Sequence, residues 1–105
     1  MIHVIATITA KPGQREAVLA HFWANMPTVR AEKGCIEYTP VVDAPNGGSS
    51  QTPIGADTFM VIEKWETIDD LAAHATSSHM AAYAAKVKDL LAGRTIRVLA
   101  DAIEL

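Results

Sequence analysis

Residues 59–83, reading FMVIEKWETIDDLAAHATSSHMAAY, hold Glu63, Trp65, His74, His79 and Tyr83. These are the side chains best suited to chemistry in the chain. His74 is the expected catalytic residue, because a neutral imidazole can take up a proton near pH 7. It lies one helical turn past Leu71 and beside Ala75, which turns it partly inward. His79 follows Ser77 and Ser78, a helix-capping pair, so it opens a helix. There the positive end of the helix dipole favours its neutral form, and it could hold a substrate oxygen or a phosphate. Glu63 and Trp65 are two apart on a strand and therefore share a face. A carboxylate on so apolar a face needs a partner, and a histidine is one option. Tyr83 and Tyr38 each bring a hydroxyl that could reach a pocket, although core packing is the commoner use of tyrosine.

The remaining polar residues narrow the chemistry. His3 and His21 are read as a sheet-face and a helix-surface residue. No HxH or HExxH spacing occurs among the four histidines, so no metal is expected. No GxGxxG is present, and the Gly47-Gly48 pair opens no helix, so no cofactor is expected either. Cys35 is the only cysteine, which excludes an internal disulfide, and its apolar context marks a small buried hydrophobe. With 9 basic against 12 acidic side chains and no basic cluster, nucleic-acid binding is not expected. The start, MIHVIATITA, has neither a basic leader nor a cleavable apolar core, and no apolar run reaches membrane-spanning length. The expected location is cytoplasmic.

The elements that must position these groups follow from periodicity. Residues 2–10 alternate as a strand, and Lys11-Pro12-Gly13 ends it. Residues 14–33 turn helical, with Val18, Phe22, Met26 and Val29 in a stripe. Pro27 should kink or restart that helix, and Gly34 should end it. Residues 35–43 form a second strand and 57–66 a third. Between them, residues 44–56 (APNGGSSQTPIGA) predict a long exposed loop. Thr67 caps a short helix over 67–75, with Asp70 in the capping-box place. A further helix is predicted over 79–92, ended by Gly93, and a fourth strand over 94–104.

The β-α-β-β-α-β order is the ferredoxin-like arrangement, an α+β fold with both helical arms on one face of an antiparallel sheet. At 105 residues the chain is expected to be a single domain. Both faces of the strands are apolar: Phe59, Val61 and Trp65 on one side of the third, Met60 and Ile62 on the other. A helix-free face bathed in water would alternate more cleanly, so face-to-face packing of two sheets in a homodimer is expected.

MIHVIATITAKPG, VRAEKGCIEY and above all VIEKWETIDDLAAHATSSHMAAYAAKVKDLLAG closely resemble the antibiotic biosynthesis monooxygenase family, specifically its small quinol-monooxygenase-type members. The resemblance covers nearly the whole chain, and only the loop at 44–56 is longer than usual. It implies a dimeric αβ barrel with one pocket per subunit. It also implies a cofactor-independent monooxygenase that oxidises a quinol or polyketide-like phenol with dioxygen. His74 would then take the phenolic proton, with Trp65, His79, Tyr83 and Glu63 shaping the substrate site. Trp65 also resembles the pocket tryptophan of the haem-degrading branch. That branch, however, has an asparagine where the first strand here has Thr7, and a histidine deeper in the last helix. Two other readings stay open. One is an isomerase of a small carbonyl compound, phosphorylated or not, using His74 and His79 as acid and base. The other is a non-catalytic dimer that binds a small ligand.

Overall fold

A computed structural model describes residues 1–104. Its strands are β1 (Ile2–Ala10), β2 (Cys35–Val41), β3 (Thr58–Trp65) and β4 (Leu91–Ala100). Its helices are α1 (Arg15–Arg30), α2 (Ile68–Ala75) and α3 (Ser78–Val87). The strands form one antiparallel sheet in the order β2-β3-β1-β4, the ferredoxin-like order. The two central strands are therefore the first and the third, and both are rich in the β-branched residues that suit a pleated, half-buried surface.

Burial follows the period of two. On β3, Phe59, Val61, Glu63 and Trp65 are buried while Met60, Ile62 and Lys64 between them are only partly so. Opposite them on β1, Val4 and Ala6 are buried. Val18, Leu19, Phe22 and Val29 of α1 and Val87 of α3 complete this core. Phe22 stacks on Tyr38 with centroids 5.1 Å apart and meets Phe59 edge-on at 5.8 Å. Offset and edge-on ring pairs of this kind add to the area they bury.

The helix starts match the sequence signals. Thr67 caps α2 by accepting from the Asp70 N–H, and Ser77 caps α3 by accepting from the Met80 N–H. Gly34 (φ +79°) turns the chain out of α1, and its missing Cβ leaves room for the Asp70 carboxylate. Helix α1 does not restart at Pro27 but continues through it to Arg30. The proline frees the carbonyl of Trp23, a residue half exposed to solvent, where water can satisfy it. The last helix stops at Val87 rather than 92; a 3-10 turn at Lys88–Leu90 leads directly into β4. Leu91 pairs with Ala10 and Gly93 with Thr9, and the Lys11 N–H donates to the Leu90 carbonyl at 2.8 Å. Ladder pairing with β1 outweighs the helical periodicity of Leu90 and Leu91. The fourth strand accordingly begins three residues earlier than predicted and ends at Ala100, followed by a turn at Ala102–Glu104.

The 44–56 loop is mostly exposed. Its neck is closed by Asp43, whose carboxylate accepts from the N–H groups of Ile54 and Gly55 at 2.9 and 3.0 Å. Those bonds hold the carboxyl below its ordinary range. Among the described residues no helix is long and apolar enough to cross a membrane.

Candidate functional site

At the end of the sheet where Cys35 of β2 pairs with Trp65 of β3, three segments converge. The turn after α1 brings Glu32, the last turn of α2 brings His74, and the first turn of α3 brings His79. His74 Nδ1 lies 2.9 Å from Glu32 Oε2, and His79 Nε2 contacts Glu32 Oε1. An ionised carboxylate only accepts, so both imidazoles donate an N–H to it. That choice fixes the His74 tautomer and leaves its lone pair on Nε2. Among the described residues, nothing is hydrogen-bonded to that atom.

The geometry is held tightly. Ser77 Oγ donates to the His74 carbonyl at 2.7 Å and sits 3.2 Å from His79 Nε2, so one hydroxyl ties the end of α2 to the start of α3. The His74 ring lies on Trp65 with centroids 4.7 Å apart and meets Tyr38 edge-on at 5.5 Å. His74 is only 6% exposed. Burial holds its pKa below the ordinary imidazole value, against the opposing pull of Glu32, so it is neutral and able to accept a proton.

Next to it, Trp65 Nε1–H donates to Glu63 Oε1 at 3.0 Å. Burial pushes the Glu63 carboxyl up, and the Trp65 hydrogen bond only partly offsets this. Tyr83 does not join the cluster. Its ring meets Phe22 edge-on at 6.0 Å, and burial pushes its hydroxyl up to about 12. It instead lines, with His21, Asn25, His79 and Lys86, an open groove of about 210 Å³ between α1 and α3 that leads to His79. A second hollow of about 270 Å³ lies along β2, lined by Arg30 and residues 35–39, and holds none of the imidazoles.

Of the residues singled out in the sequence, His74, His79 and Trp65 are thus brought together. Glu63 is one strand pitch away, partnered by the indole N–H and not by a histidine. Tyr83 stands on the groove wall. Tyr38 packs in the core, stacked on Phe22 and at a steep angle to the His74 ring. His3 binds Asp101 at 2.8 Å on the other side of the sheet. Glu32, on which the arrangement centres, was not legible in the sequence: it is separated from the two histidines by 42 and 47 positions. One signal could have flagged it. An acid just beyond a helix C-terminus sits at the negative end of the dipole and needs another reason to be there. The sequence also holds no metal-ligand spacing, yet the fold sets ligand atoms of Glu32, His74 and His79 within 4.8 Å of one another. The loop at 44–56 lies away from this cluster. It joins the opposite ends of β2 and β3, roughly 20 Å away at about 3.3 Å per residue.

The family's sequence model, antibiotic biosynthesis monooxygenase, matches residues 1–86. The chain belongs to that family. It is 43% identical to the probable quinol monooxygenase YgiN of Escherichia coli K12 and to that of Shigella flexneri, over 98% of this chain and the whole of theirs. Among solved structures it is similar to a Pseudomonas aeruginosa protein (TM-score 0.79, 29% identity, covering 95% of this chain and 92% of that one). A Mycobacterium tuberculosis protein is similar to the same degree (TM-score 0.77, 29% identity, 95% and 93%).

Proposed function

We propose that the chain is a homodimeric, cofactor-independent monooxygenase that oxidises a quinol or related phenol with dioxygen. The observation that carries this reading is the buried, neutral His74, anchored through Nδ1 on Glu32 with Nε2 left free. Nε2 takes the proton of a phenolic hydroxyl, and the electron-rich phenolate reacts with dioxygen. For a hydroquinone the balance closes without an outside reductant. One oxygen atom enters the ring, the other leaves as water, and the ring supplies four electrons as it becomes a hydroxyquinone. Glu32 orients the imidazole and stabilises its charged form, as a carboxylate does behind a catalytic histidine. Trp65 fixes the ring from one face, and the groove at His79 and Tyr83 supplies access. Two further facts support the reading: membership of the family, and the relatives named as probable quinol monooxygenases. The homodimer is supported by the apolar residues that β4 leaves uncovered, Ile96 and Val98.

Oxygen consumption with a panel of hydroquinones tests the proposal. The wild-type chain should exceed the autoxidation rate, and His74→Ala should lose roughly 100- to 10,000-fold of that excess, the range for a positioned base. A thermal melt of the variant separates lost chemistry from lost fold. An absence of uptake on every quinol would instead favour acid–base exchange by His74 and His79 on a carbonyl substrate.

A further inference from the structure

We propose that Glu32, His74 and His79 form a binding site for a divalent transition-metal ion such as Zn(II) or Co(II). The donor set is two imidazoles and one carboxylate, a composition that suits first-row transition metals and not Mg(II) or Ca(II). The three ligand atoms, Glu32 Oε, His74 Nδ1 and His79 Nε2, already lie within 4.8 Å of one another. They come from three separate elements held in place by the Ser77 bonds and by the packing of His74 on Trp65. Little reorganisation is needed to close them on an ion.

Charge points the same way. Among the described residues Glu32 has no lysine or arginine partner; its carboxylate meets only the two imidazoles. The nearby guanidinium of Arg30 is spent on the Tyr38 carbonyl, to which it donates from two nitrogens at 3.1 and 2.9 Å. This is a poorly compensated, nearly buried negative site, and a cation would relieve it. An entry path exists, because Glu32 and His79 keep 15% and 26% of their side-chain surface and the groove between α1 and α3 opens on His79. Each imidazole would bind through the ring nitrogen that now faces Glu32. Each only moves its proton to the other ring nitrogen, so His74 Nε2 becomes a donor.

The binding itself does not rest on the quinol reading, but one consequence does. An ion at Nδ1 removes the free lone pair on His74 Nε2, so the loaded chain should stop oxidising quinols, and a chelator should restore it.

Titration calorimetry of the metal-free full-length chain with zinc chloride, and the visible absorption of added Co(II), test the site without any substrate. The expected result is one ion per chain. Glu32→Gln and His79→Ala should weaken binding by more than the roughly 10- to 100-fold that losing an outer-shell partner costs. His3→Ala, on the other side of the sheet, should leave it unchanged. Absence of binding by the wild-type chain would overturn the proposal. So would binding that survives both Glu32→Gln and His79→Ala. Because His79 is the more exposed ligand, its variant carries the test if Glu32→Gln fails to fold. Oxygen uptake in chelator reports on the quinol reading separately.

Discussion

One surface of the sheet, the side that carries the helices, behaves in two opposite ways. Over β2, β3 and β1 it is sealed: Phe59 and Trp65 are fully buried and Val4 is 2% exposed. Over β4 it lies open, and Ile96 and Val98 are each 50% exposed, although they stand directly across from Ala6 and Val4. The placement of polarity runs against the placement of water. The sealed half encloses Glu63 and His74, while the open half presents aliphatic side chains. Burying a carboxylate or an imidazole is costly unless it is hydrogen-bonded, as both are here, and leaving valine and isoleucine in water forfeits their burial. The two halves therefore differ in what they present, hydrogen-bonded polar groups enclosed in one and bare aliphatic side chains in the other.

The sealed half is most sensitive at Trp65. Trp65→Ala removes a fully buried ring, strips His74 of its stacking partner and leaves the buried Glu63 without its donor. A loss of about 3–5 kcal/mol is expected from the cavity alone. Urea denaturation measures it, and a loss below about 1 kcal/mol would show that the sealed half is not held together by this residue.

A second test acts on the open half. Ile96→Lys combined with Val98→Lys should leave the fold of one chain nearly unchanged, since surface changes cost within about 0.5 kcal/mol. Light scattering should meanwhile report a shift from the dimeric to the single-chain mass. A variant that remains a dimer would remove the partner-surface argument.

The smallest effect is expected at Glu63. Burial raises its folded pKa above the unfolded value of 4.5. The folded protein thus binds this proton more tightly than the unfolded chain does. The carboxylate therefore costs stability in full above the folded pKa. The cost shrinks as pH falls through that value and vanishes below about the unfolded pKa. Glu63→Gln keeps an oxygen for the Trp65 N–H and removes the charge. It should raise the melting temperature at neutral pH, with the gain fading on acidification. A gain that does not fade would place its origin elsewhere.

Much of the fold was legible because its signals are local. Alternation marked the strands, a stripe from Val18 to Val29 marked α1, and Thr67 and Ser77 marked the two helix starts. The boundary between α3 and β4 was not legible, because Leu90 and Leu91 fit a helical stripe and only their pairing with Lys11 and Ala10 selects the strand. In the site, His74, His79 and Trp65 could be singled out because they fall within 15 residues of one another. Glu63 was expected to need a partner, with a histidine as one option; the indole N–H fills that place, since a strand position two residues from Trp65 is within its reach.

The sequence by itself determined the element order, the family and the presence of an imidazole near a tryptophan, because periodicity and capping act over a few residues. The tertiary structure alone decided that Glu32 joins the two histidines, and that β4 is left with a bare apolar edge. Both depend on contacts between segments more than 40 residues apart or on what the helices fail to cover. Such contacts leave no periodic trace, because only the packed sheet brings the groups within hydrogen-bond reach.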